Sequence, residues 1–168
     1  GDHGQGTDAG FAILSGDDLD DDFYSLYCHA QYCAFLLRKN GISCSVSVDN
    51  SIINFTQDWV MDRWYHIVGI FDGSNIKIFI DGVLDNSAPL VGAALSSTAK
   101  IFNIGGWCGG HNLFWPRLID DVRIYNRALS ADEIKRLYRI GGTLKLGQTK
   151  TNNSLSNGLV GFWSFDDP

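Results

Sequence analysis

Glutamate is nearly missing from this chain. Of 19 acidic residues in 168, Glu133 alone is a glutamate. Glycoside hydrolysis needs two carboxylates flanking the scissile bond, and the aspartates here sit in turns and loops rather than alternating along one strand. No G-x-S-x-G, H-E-x-x-H or phosphate-loop pattern is present either. These absences leave no constellation for catalysis, and the chain reads as a non-enzyme. Basic charge is also short: 13 Lys and Arg give a formal net charge of −6 and a pI near 4.9. Phosphate binding wants a basic surface, so nucleic acid is an unsuitable partner. No run of eighteen apolar residues exists to form a membrane-spanning helix. No signal peptide is visible, as expected of a mature or excised fragment.

What is present suits a turn-rich β protein. Length fits one domain. Hydrophobic residues make up 45%, charged residues 19% and aromatics 12%, with 19 Gly. That balance is globular rather than disordered. The four cysteines, Cys28, Cys33, Cys44 and Cys108, are an even set without C-x-x-C spacing, which favours disulfides over a metal site. Cys33 and Cys44 sit on runs that could form a hairpin, but four cysteines allow three pairings and spacing does not choose among them.

The organising stretch is Trp64 to Val83, WYHIVGIFDGSNIKIFIDGV. An aromatic and β-branched run reaches Phe71, and Asp72-Gly73 offers positive-φ turn positions. Ile76, Ile78 and Ile80 then alternate with Lys77 and Phe79, predicting two faces of one strand. Asp81-Gly82 turns the chain again. An antiparallel meander is predicted.

This stretch, the triplet Ile104-Gly105-Gly106 and the run Leu118-Ile119-Asp120-Asp121-Val122-Arg123-Ile124-Tyr125-Asn126-Arg127-Ala128-Leu129-Ser130 carry a resemblance. Together they resemble the laminin G-like, concanavalin A-like jelly-roll domains of bacterial secreted and surface proteins. The resemblance covers roughly residues 10–140. It implies an all-β, antiparallel two-sheet jelly-roll sandwich, used mostly for carbohydrate or protein binding, and an extracellular or cell-surface setting. Fold alone does not fix function.

Taken in order, residues 1–10 form a Gly-rich lead-in, and Phe11–Ser15 reads as a strand. The acidic loop Gly16–Asp22 reads as a solvated turn; the alternative is a calcium loop, since hard cations want several oxygen ligands, although its Asp spacing does not match the helix-loop-helix type. Further strands are predicted at 23–28, 32–38, 42–48, 51–55, 100–104 and 118–125. Asn54-Phe55-Thr56 matches a glycosylation triplet that arises often by chance. Ser130-Ala131-Asp132-Glu133 is a capping box. It opens a short helix near residues 131–139, with Ile134, Leu137 and Tyr138 on one face and Gly141-Gly142 as its stop.

The tail divides the chain into a domain over 1–142, a polar linker over 143–157, and a strand segment over 158–168. In the resembling family, G-L-V-x-x-W-S-F-D is the opening strand of a domain, and no such strand precedes Phe11. The segment therefore begins a following domain, fills this domain's own missing position, or fills it in a neighbouring copy by strand addition. Its apolar residues Leu159, Val160, Phe162, Trp163 and Phe165 are expected to be paired rather than left in water. Exchange between copies would make a head-to-tail filament.

Two site expectations follow. Trp107, His111, Phe114 and Trp115 share one Gly-rich loop, and aromatic faces with convergent polar groups suit sugar recognition; the alternative is that both Trp are core or lid packing. Jelly rolls of the resembling family often hold a structural calcium between the first strand and a late-strand Asp. The resemblance thus implies Asp120 and Asp166 as calcium ligands, with backbone carbonyls completing the shell; the alternative is that Asp120 caps backbone N–H groups. The reading is a non-catalytic adhesion or glycan-binding module, with glycans or surface proteins as partners. Its rival is a structural subunit joined to copies of itself through residues 158–168.

Overall fold

Local turn chemistry sets the best-defined part of the fold. Ile67–Phe71 is β4, Asn75–Ile80 is β5 and Val83–Pro89 is β6, paired antiparallel in the order β4-β5-β6. Between β4 and β5, Gly73 adopts φ +95°, but Asp72 does not share the left-handed conformation. Instead its carboxylate accepts the N–H groups of Ser74 and Asn75 at 3.0 and 2.7 Å, closing the turn as an Asx motif. Between β5 and β6, Asp81 and Gly82 both have positive φ, at 50° and 81°, the requirement of a type I′ hairpin turn. The meander is therefore built on two different turn mechanisms, although both turns are spelled Asp-Gly.

The computed structural model describes residues 11–15, 23–28, 33–38, 63–89, 102–106, 118–141 and 154–166. They fall into two units. The first, Gly1–Met61 with Ala93–Arg117, contains β1 (Phe11–Ser15), β2 (Phe23–Cys28), β3 (Cys33–Arg38) and β7 (Phe102–Asn103). These form one antiparallel sheet in the order β3-β2-β1-β7. The Leu26–Phe35 pair lies at the middle of the β2–β3 ladder, and Phe35 is buried. β7 lies within the 100–104 run predicted as a strand, of which residues 100 and 101 lie outside the described residues. Gly105 follows with φ +77°, where a strand cannot continue.

The second unit, Asp62–Gly92 with Leu118–Pro168, holds the meander, β8 (Val122–Tyr125), the helix α1 (Ala131–Gly141), a 3-10 turn at Ser154–Ser156 and β9 (Leu159–Trp163). Its core joins Ile70 and Phe79 of the sheet to Leu129, Ile134, Leu137 and Leu155, with Val68 and Tyr125 packed at the margin. Val68 and Phe79 are register partners, so one face of the β4–β5 ladder meets α1. The opposite face of β5 is buried as well: Ile76 and Ile78 are 1% and 2% exposed. Phe79 lies on the Lys77 side, as expected, and is a core residue there. β5 is buried on both sides.

Helix α1 starts where the capping box places it. Glu133 N–H donates to Ser130 Oγ at 3.3 Å, and Ser130 N–H donates to Glu133 Oε2 at 2.9 Å. Ile134 is fully buried. Tyr138, expected on the buried face, is half exposed; its ring lies 5.9 Å from His66 and beside the Gly82 turn.

Candidate functional site

β8 and β9 pair antiparallel, with Val122 opposite Trp163, Arg123 opposite Phe162, Ile124 opposite Gly161 and Tyr125 opposite Leu159. The step from Gly161 to Leu159 skips Val160, which bulges from the ladder and is exposed. Beyond the bulge the Asn126 N–H still reaches the Gly158 carbonyl at 2.8 Å. Residues 159–163 are therefore paired within this chain.

The predicted late strand, 118–125, is cut to its second half. Asp121 takes φ +52°, a left-handed conformation that ends β-pairing at Val122. On the partner strand, Phe165 takes φ +49° soon after Trp163. Two left-handed residues thus close one end of the ladder; Asp120 and Asp121 precede it on one strand and Asp166 follows it on the other. Asp120 Oδ1 accepts the Asp121 N–H at 2.7 Å. Asp121 Oδ1 accepts from Arg123 at 3.1 Å. The Arg123 guanidinium also lies 4.5 Å from the centroid of its cross-strand partner Phe162. Among the described residues no group of three His, Cys, Asp or Glu forms a metal cage. Asp120 is exposed and accepts this single backbone N–H, that of Asp121.

Aromatic surface surrounds this end. Phe162 and Phe165 are 47% and 53% exposed. A Cβ on Gly161 would fall 2.5 Å from Trp163 Cη2, so the indole folds back across its own strand and needs glycine there.

At the other end of the ladder, Arg127 ties three segments together. Its two terminal nitrogens fork onto Glu133 at 2.9 and 2.7 Å, and its Nε donates to the Asn157 carbonyl at 2.8 Å. The Arg127 fork, reinforced by the Ser130 N–H, lowers the Glu133 pKa to about 2. Gly158, at φ +74°, has no room for a side chain: a Cβ would sit 2.7 Å from Asn126 Oδ1. Helix cap, late strand and C-terminal strand share this junction.

His66 is a partly buried titratable group beside the second hairpin turn. Its Nδ1 is buried without a hydrogen-bond partner. Burial lowers its pKa below 6.5, against the pull of Asp81. The backbone beside it is firmly held: His66 N–H donates to Asp81 Oδ1 at 3.0 Å, and Asp81 N–H donates to the His66 carbonyl at 2.8 Å. Asp81 also pairs with Arg63.

The laminin G-like family model Laminin_G_3, described as the Concanavalin A-like lectin/glucanases superfamily, matches residues 5–135. The chain belongs to that superfamily. Its fold is accordingly the all-β antiparallel two-sheet jelly roll with a helix, the architecture that the motifs implied. An S-layer domain-containing protein from Clostridium thermocellum ATCC 27405, solved over its residues 221–444, is similar at 20% identity and a TM-score of 0.38; the match covers 82% of this chain and 67% of that one. No curated protein sequence matches the chain.

For a concanavalin A-like domain, the expected site residues divide cleanly. Asp120 and Asp166 are brought to the same end of one ladder. Leu159, Val160, Phe162 and Trp163 lie on β9, and Phe165 follows it. Cys28 and Cys33 are register partners in the β2–β3 hairpin. Trp107, His111, Phe114, Trp115, Cys44 and Cys108 lie outside the described residues. What the residue pattern did not reveal is Arg127: its acceptor at Asn157 is 30 positions away, and no local spacing announces it.

Proposed function

We propose that this superfamily member is a non-catalytic extracellular binding module for glycans or cell-surface ligands. The observation that carries this reading is the state of Glu133. The sole glutamate is held by Arg127 and Ser130 as a structural anion, which leaves it unsuited to proton transfer near neutral pH. Asp72, Asp81 and Asp121 are likewise paired, with Lys77, Arg63 and Arg123. Acidic groups here organise turns and strand ends. No helix among the described residues is long and apolar enough to cross a membrane.

In this reading Trp107, Phe114 and Trp115 offer stacking faces to a sugar, and His111 offers a polar contact. Asp120 and Asp166 supply carboxylates to a structural calcium, the oxygen chemistry that a hard cation prefers. Their shared ladder end supports that role. A filament built by exchanging residues 158–168 would first have to break the β8–β9 ladder seen within one chain.

A glycan array probed with the whole chain, with and without calcium, tests the proposal. Binding that is lost in the Trp107→Ala/Trp115→Ala double variant, at unchanged melting temperature, is expected. An array blank in both conditions would sink the glycan reading.

A further inference from the structure

We infer that Cys28 and Cys33 form a disulfide with each other, a cross-strand bridge closing the β2–β3 hairpin. Register decides the pairing. In the β2–β3 ladder Cys28 stands directly opposite Cys33, as its last register pair. Opposed residues of an antiparallel pair share a face, with Cα atoms about 4.5 or 5.5 Å apart depending on the pair type. Disulfides span Cα separations of about 4.4–6.8 Å, and both pair types fall within that range. Pairing 28 with 33 selects one of the three possible connectivities and leaves Cys44 and Cys108 as the remaining two.

The chemistry balances with a disulfide-bearing oxidant such as oxidised glutathione. The thiolate of one cysteine attacks the oxidant's S–S bond, forming a mixed disulfide and releasing one reduced thiol. The second thiolate then attacks the protein sulfur of that mixed disulfide. The bridge forms and the other half of the oxidant leaves as a thiol. Two electrons and two protons pass from the cysteine pair to the oxidant. The register argument is independent of what the module binds.

The arrangement of Lys and Arg makes the test direct. No Lys or Arg precedes Arg38, so trypsin releases residues 1–38 as one peptide carrying both Cys28 and Cys33. Cys44 falls in peptide 40–63 and Cys108 in peptide 101–117. The whole chain is equilibrated with a mixture of reduced and oxidised glutathione, its free thiols are blocked with N-ethylmaleimide, and it is digested without reductant. Peptide 1–38 is expected unlinked, unblocked and lighter by two hydrogens than its reduced form. A 1–38 peptide joined to 40–63 or 101–117, carrying glutathione, or blocked at both cysteines would overturn the pairing.

Discussion

Arg127 and Glu133 are six residues apart and meet as a two-toothed fork, with both guanidinium–carboxylate distances under 3 Å. The same arginine grips the carbonyl of Asn157. One side chain therefore couples the start of α1 to the approach of β9. This explains why the module's sole glutamate is spent on architecture, and it gives the anchor a measurable signature.

Removing the cap should be costly in proportion to one helix end. Ser130→Ala is expected to lower stability by about 1 kcal/mol, read as a lower urea midpoint at unchanged slope. An unchanged midpoint would show that the fork alone secures the helix start.

Glu133→Gln keeps the shape of the side chain and removes its charge. In the wild type the folded pKa is about 2 against an ordinary 4.5. That depression adds stability above about 4.5, which is lost as pH falls from 4.5 towards 2. The variant should lack this part of the acid limb when melting is followed between those values.

His66 acts in a different window. Its folded pKa lies below the ordinary 6.5 because its ring is buried. The unfolded chain therefore takes up the proton more readily. The His66 contribution is complete above 6.5 and is lost as pH falls through the lowered folded value. Asp81 and Asp121 oppose the shift and Arg123 supports it, so burial is the dominant cause. Melting temperatures should fall between pH 7 and 5 in the wild type and less steeply in His66→Gln. Equal slopes would remove His66 as the source.

Gly158→Ala places a methyl group against Asn126 and forces alanine to adopt a positive φ. A loss of more than about 1 kcal/mol is expected. Hydrogen exchange should accelerate at the Asn126 amide, whose bond runs to the Gly158 carbonyl.

Ile134→Ala and Tyr138→Ala separate the two sides of the helix. The first empties a fully buried site and should cost about 2–5 kcal/mol. The second trims a half-exposed ring and should cost less by urea denaturation. Equal losses would mean that Tyr138 belongs to the core after all.

Much of this was legible in the chain because the responsible forces are local. Asp81-Gly82 spells its hairpin turn, and Ser130 with Glu133 spells the helix start, within four residues each. The tail's apolar residues showed that it must pair. They could not name β8 as the partner, since that choice depends on contacts more than thirty residues apart. Asp121 was misjudged for the opposite reason. Its neighbours Ile119, Val122 and Ile124 have strand character, and only the left-handed backbone at 121 shortens the strand. Alternation placed Phe79 on the Lys77 side correctly, but it distinguishes two sides of a strand without saying that both are buried.

The β8–β9 ladder has a consequence for the order of events during synthesis. Residues 126–158 separate the two strands, and a ribosome adds about 5–20 residues per second. For about 2–7 s the nascent β8 waits for β9, its mate among the described residues. Any sister chain growing on the same message presents the same waiting strand and, slightly later, the same mate. The interval before closure is when intermolecular mispairing competes, and quick capture of Asn157 by Arg127 would shorten it.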